Sequence, residues 1–171
     1  LSRSCASTGF TVSIHVGIAA MLILLFGNEQ QKQKYLIPLA KGQNLGAFVL
    51  TEPGAGTDMM AATTTAVLDG NDYVLNGTKT FTSNGPTGGT YIVFAWTDKA
   101  AGRKGMSAFI IPRETPGMKA GEHFEKMGLR SSQTSEMVFK DCRVPRENLL
   151  GKEGAGLAMA MTGFDHGRTG I

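Results

Sequence analysis

Cysteine is nearly absent from this 171-residue chain: Cys5 and Cys142 stand alone, too few for a secreted disulfide framework and without the paired spacing of a zinc site, so a reducing compartment is expected. The three histidines, His15, His123 and His166, lie far apart with no ligand spacing, which argues against a metal centre. Charge is also scarce, with 18% Asp, Glu, Lys and Arg against the usual quarter of a soluble domain. The balance of 17 basic to 14 acidic residues gives only +3, and no basic stripe of the kind that binds nucleic acid is present. There is no Gly-x-Ser-x-Gly elbow of a serine hydrolase. The Gly54-Ala55-Gly56-Thr57-Asp58 turn lacks both the third glycine of a dinucleotide fingerprint and the Lys-Ser/Thr of a phosphate loop. The apolar run 18–26 is nine residues long, short of the roughly 20 that span a bilayer, and extending it backwards meets Gly17, His15 and Ser13. It lacks the basic start and small-residue cleavage site of a signal peptide, so a buried core helix is expected, with no membrane span. The chain opens on Leu1, which reads as the middle of a helix in something longer.

Apolar residues make up 42% of the chain, enough for a sizeable core, and the 23 glycines imply many tight turns. Residues 1–43 read as helical. Positions 10–26 are apolar almost all round, as in a helix inside a bundle, and 29–42 has an acidic start, lysine near the end and a terminal glycine, with Pro38 expected to shorten or kink it. From 45 onward the pattern changes to short β-rich runs at 45–51, 63–68, 73–76, 79–83, 91–97, 106–112 and 136–140. Asp69-Gly70, Asn76-Gly77 and Asn84-Gly85 are pairs that supply positive φ in hairpins. The expected fold class is α+β, with an antiparallel β-sandwich or barrel at 44–150 flanked by helices, those of 1–43 before it and the start of another at 151–171.

Three segments could carry chemistry. In Phe48-Val49-Leu50-Thr51-Glu52-Pro53-Gly54-Ala55-Gly56-Thr57-Asp58 a strand runs into a Pro-Gly turn, where Gly54 and Gly56 let a planar or anionic group approach the backbone while Thr51 and Thr57 offer hydroxyls at either end. Taken alone, the string also reads as an ordinary turn ending a strand. In 76–85, Phe81 and Ser83 are two apart and so face one side of a strand, supplying an aromatic face and a hydrogen bond for a flat heterocycle; an aromatic on a strand also serves as core. Asp165 and Arg168 are three apart on one helical face, a local ion pair or an Arg placed for the phosphate of an extended ligand.

In this order the segments resemble the acyl-CoA dehydrogenase family. The resemblance rests on 50–58, followed by Asn76-Gly77, Lys79, 81–85, Thr115-Pro116-Gly117, 126–132, Val144-Pro145, 148–151, Gly154, Gly156, and Asp165 with Arg168. It implies α,β-dehydrogenation of an acyl-CoA thioester of short-chain type, FAD as hydride acceptor, an electron-transferring flavoprotein as next carrier, a homotetramer, and a bacterial cytoplasm or mitochondrial matrix. Carried over, Phe48, Leu50, Thr51, Phe81 and Ser83 would lie at the flavin, while Thr57, Asp165 and Arg168 would hold the CoA moiety. Three positions depart from the common pattern: Val49 stands where a small residue or Cys is frequent, Phe81 where Trp is frequent, and Thr82 where an apolar residue is usual. The family's catalytic glutamate lies far downstream or, in a subgroup, at the position of Gly167, which has no side chain to act as base. The resemblance therefore implies flavin and CoA contacts without a catalytic residue in these 171 residues. A flavin oxidase on the same scaffold and a non-catalytic β-domain used for binding or assembly are the alternatives.

Overall fold

The computed structural model describes residues 1–167. The first helix, Ala6–Phe26, is 21 residues long and contains an 18-residue stretch with a mean hydropathy of 2.2, because the small and polar residues ahead of the apolar run continue the helix. Its length therefore does not exclude a membrane span, contrary to the expectation from the nine-residue run. The case for a core helix rests on contacts: Ile14, Ile18, Ala19, Leu22 and Ile23 are buried in one cluster with Ile92, Phe94 and Trp96 of the sheet, at roughly 1.5–3 kcal/mol for each large side chain fully buried. At His15–Ala20 the helix widens to π-type bonding, a local insertion that re-aims side chains. There the Nδ1 of buried His15 accepts from the Gly46 N–H at 2.9 Å. The ring proton therefore sits on Nε2, which donates to the Leu39 carbonyl at 3.2 Å.

The second helix covers 29–40. Asn28 and Gln31 close a capping box at its start, and the Gln31 amide donates to the carbonyls of Glu147 and Leu149 at 2.8 Å each, docking the helix on the end of the β-domain. Pro38 neither ends nor shortens the helix; π-type bonding at Lys32–Leu36 precedes this residue that has no N–H to donate.

Eight strands follow among the described residues: β1 Gly46–Val49, β2 Thr65–Asp69, β3 Asp72–Ser83, β4 Thr90–Trp96, β5 Met106–Pro112, β6 Met118–His123, β7 Thr134–Pro145 and β8 Leu149–Leu150. The order is β6-β7-β3-β2-β4-β5-β8, with β1 beside β4. The expected β-domain between helices is thus present. Its pairings are mainly antiparallel, with β1 parallel to β4 and a parallel bridge from β2 to β4, so the sheet is mixed. Alternate residues of β4 and β5 face opposite ways. Ile92, Phe94, Trp96, Met106, Ala108 and Ile110 meet the helices, whereas Tyr91, Val93, Phe109 and Ile111 enter a second core with Tyr73, Met137 and Val144. Tyr73 of β3 meets Phe109 of β5 edge to face at 5.0 Å, which shows the sheet curling back on itself.

The Asp69-Gly70 signal is a true hairpin between β2 and β3, with Gly70 at φ 63°. The other two are not hairpins. Gly77 lies inside β3 at a register shift, its φ being 152°, and a Cβ there would stand 2.3 Å from the Thr64 Oγ1. Close approach of the neighbouring chain, not reversal, requires this glycine. Asn84, at φ 62°, turns the chain out of β3 towards β4, which is not its neighbour in the sheet. The last helix, Gly156–Gly167, lays Gly163 and Gly167 against Ile18 of the first.

Burial holds the His15 imidazole below its usual value of 6.5, and its Nδ1 is needed as an acceptor. As pH falls below 6.5 the unfolded chain takes up a proton that the folded chain refuses, so stability declines towards acid. Thermal melts taken from about pH 7.5 down to about 5.5 should therefore drop further for the unsubstituted protein than for His15→Gln; parallel curves would exclude His15 as the cause.

Candidate functional site

β1 ends at Val49, and Leu50 and Thr51 continue without a ladder into a tight turn in which Glu52 and Ala55 exchange two backbone hydrogen bonds, of 3.0 and 3.1 Å. Pro53 and Gly54 form the tip. A Cβ at Gly54 or Gly56 would meet nothing within 4 Å, so the backbone on this side is open to approach. Opposite lies the end of β3, where the register slips between Lys79 and Thr82 and Phe81 takes φ 53°. That left-handed residue breaks the simple alternation expected for Phe81 and Ser83. Both nevertheless line one cleft of about 210 Å3, together with Phe48, Leu50, Thr51, Thr80 and, from the helices, Ile14, Ile18 and Phe164.

All five residues that the family resemblance assigns to the flavin therefore line one cleft. Phe81 is 68% exposed and rests edge to face on Phe124 at 5.7 Å; Phe48 packs between Phe94 and Phe164 at 5.0 and 5.5 Å. Leu50, Thr51 and Phe164 also belong to a second, wider cleft of about 530 Å3, lined further by Gly56, Thr57, Met59 and Met161. Thr57 is thus next to the first cleft and not in it. Asp165 is exposed on the last helix and lines neither cleft; Arg168 lies outside the described residues. Val49 turns away from the cleft into the second core.

The donor set suits a flat, partly polar ring. The hydroxyls of Thr51, Thr57 and Ser83 make no hydrogen bond to the described protein, while three phenylalanines and two isoleucines supply dry walls. Neither cleft contains an Asp or Glu among the described lining residues. Gly167 gives no room for one: a Cβ there would lie 2.4 Å from the Ile18 Cγ1.

Sequence reasoning gave no role to Glu52 and Lys79, which prove to be a buried ion pair directly behind the cleft. The Lys79 Nζ donates to the Glu52 Oε1 at 2.9 Å and to the Leu50 carbonyl at 3.0 Å, with the two side chains 0% and 3% exposed. Glu52 also accepts from the Thr63 N–H and hydroxyl at 2.7 and 2.8 Å and from the Thr64 N–H at 3.0 Å. Burial pushes the Glu52 carboxyl up, but the Lys79 ammonium and these donors outweigh it and hold the group at about 2. No local signal marked the pair: Lys79 sits in a string of threonines and Glu52 beside a Pro-Gly turn, where a charged residue is ordinarily exposed. Ile14, Ile18 and Phe164 were also missed, because apolar periodicity does not say which face meets a cleft.

Residues 1–43 match the model of the acyl-CoA dehydrogenase N-terminal domain, and residues 47–142 match that of the acyl-CoA dehydrogenase middle domain. The short-chain specific acyl-CoA dehydrogenase of Clostridium acetobutylicum is 51% identical over 171 residues, all of this chain and 45% of that one. The solved butyryl-CoA dehydrogenase of Megasphaera elsdenii superposes with a TM-score of 0.97 at 47% identity, over 99% of this chain and 45% of that one. A chain in the structure described as the electron transferring flavoprotein of Acidaminococcus fermentans superposes at 0.94 with 54% identity, covering 96% of this chain and 43% of that one. The chain belongs to the acyl-CoA dehydrogenase family, and it spans less than half the length of these relatives.

The packing at Gly167 is testable. Gly167→Glu should destabilise the protein by about 1–3 kcal/mol through overpacking, and Ile18→Ala in the same chain should recover part of that loss in thermal melts. A Gly167→Glu variant as stable as its parent would show that Ile18 yields freely.

Proposed function

We propose that this chain is the flavin-binding and CoA-binding part of an FAD-dependent acyl-CoA dehydrogenase that acts on short acyl groups. The observation that carries the reading is the convergence of Phe48, Leu50, Thr51, Phe81 and Ser83 on one cleft whose hydroxyls make no hydrogen bond to the described protein. The division into helical residues 1–43, a β-domain at 44–150 and a further helical part from 151 goes with it.

In this reading Phe81 packs against the ring, and Thr51 and Ser83 donate to its polar edge. The second cleft leads from there past Thr57, which with Asp165 and Arg168 holds the CoA moiety. Ile14, Ile18 and Phe164 keep water from the reacting end and leave little depth for the acyl group. FAD, when bound, supplies the hydride acceptor for the β-hydrogen of the thioester. The base that takes the α-proton is not among these residues, since no carboxylate lines either cleft among the described residues. An electron-transferring flavoprotein as acceptor and a homotetrameric assembly complete the proposal; the likeness to a chain of the Acidaminococcus structure supports the first.

In the full-length protein, Thr51→Val and Ser83→Ala should each weaken FAD binding by about tenfold, the loss expected for one hydrogen bond. Phe81→Ala should cost at least as much. Titration of the apoprotein with FAD, followed by flavin fluorescence, measures all three, and unchanged affinity in every variant would remove the cleft as the flavin site. The 171 residues alone should not reduce an artificial electron acceptor in the presence of butyryl-CoA; sustained turnover would place a base within them.

A further inference from the structure

The flavin reading assigns contacts but leaves open what fixes the distance across the cleft. Its two polar walls are the 50–51 segment and the 80–83 segment. They follow β1 and end β3, which are not hydrogen-bonded neighbours: β1 pairs with β4, and β3 pairs with β2 and β7. The ladder of the sheet therefore does not set the register between them. Ladder order is weakest just there, since Leu50 and Thr51 lie beyond β1 and the β3 register slips between Lys79 and Thr82.

At the far end of β1 the Asn84 amide, just past β3, donates to the Gly46 carbonyl at 3.0 Å; at the cleft itself two links cross the gap, from adjacent residues of β3. The Thr80 N–H donates to the Thr51 carbonyl at 2.8 Å. The fully buried Lys79 ammonium donates to the Leu50 carbonyl at 3.0 Å and to the Glu52 carboxylate at 2.9 Å, holding the backbone on one side of Thr51 and a side chain on the other. Glu52 in turn is tied to Thr63 and Thr64 at the entry to β2. A lysine with none of its side chain exposed is tolerated only when paired and hydrogen-bonded, so this strand residue has one well-satisfied place to go, and reaching it brings the 50–51 carbonyls to β3.

We propose that Lys79 and Glu52 are positioning residues for the flavin: their buried pair clamps the Thr51 wall to the Phe81–Ser83 wall and so presets the spacing across which the ring binds. The inference rests on the flavin reading above and adds to it a pair that touches neither ring nor substrate. Every group of the clamp belongs to the chain itself, so its contribution is preorganisation, and it acts on affinity and ring geometry.

The test uses the full-length protein. Lys79→Met combined with Glu52→Gln removes both charges and conserves volume, so that no unpaired charge is left behind. The double variant should bind FAD about tenfold or more weakly, as for the loss of preorganised hydrogen bonds, with an altered visible band shape of the bound flavin. Its apoprotein should melt close to the unsubstituted one. Wild-type affinity and spectrum in the double variant would overturn the clamp while leaving the flavin reading intact. A second measurement needs no substitution: in the unsubstituted apoprotein the Thr80 amide should be protected against hydrogen exchange before FAD is added, and rapid exchange there would overturn the proposal even if the double variant failed to fold. Absence of FAD binding by the unsubstituted protein would overturn the flavin reading and the clamp together.

Discussion

A charged lysine with no exposed side-chain surface is the constraint around which the candidate site is arranged. Burial pulls the Lys79 ammonium below its usual value and Glu52 opposes that pull, while Lys79, Thr63 and Thr64 hold the Glu52 carboxylate down against its own burial. Breaking such a pair by removing one partner costs about 3–5 kcal/mol, because the other charge remains buried. That cost binds together the exit of β1, the entry to β2 and the bulged end of β3. Without it, nothing in the sheet order would oblige the 50–52 turn to lie beside Thr80. The pair is thus less a source of net stability than a device that excludes other arrangements of these three segments.

Local strain appears where this constraint meets the cleft. Phe81 at φ 53° is a bulky residue in the left-handed region, at a cost of about 1–3 kcal/mol. The bulge after Lys79 allows the lysine to point inward to Glu52 while Phe81, two residues later, stands at the cleft mouth against Phe124. In a regular strand residues two apart share a face, so burying one and exposing the other needs the irregularity that is observed.

What could be read from the sequence follows the range of the forces involved. β4 and β5 were legible because burial on both faces makes them continuous apolar runs, and Asp69-Gly70 was legible because a two-residue hairpin is a local event. Asn76-Gly77 is chemically the same signal, yet its glycine answers to Thr64 across a gap, which no local rule can see. β6 was missed since an exposed edge strand of Met118, Lys119, Ala120, Gly121, Glu122 and His123 has no apolar alternation to betray it. β8, at two residues, is below any periodicity. In the site, the strings holding Thr51, Phe81 and Ser83 could be picked out as segments. Their meeting point could not, because it depends on long-range bonds, Thr80 to Thr51 and Lys79 to Glu52, the latter 27 positions apart in sequence.

Ile18 ties the remaining parts together. It is buried in the core shared by helices and sheet, lines the inner cleft, and sits so close to Gly167 that a side chain there would collide with it. One residue therefore fixes the depth of the cleft, the seating of the last helix and part of the packing beneath the first. Cleft depth cannot change at Ile18 without leaving a cavity in the core or loosening the contact of the two helices, at a cost that scales with the volume removed. A change of cleft depth on this scaffold must then come from residues less committed to the core. Within this cleft the half-buried Phe48 and Phe164 meet that description better than Ile18 does, because both are partly accessible and contact each other across the opening.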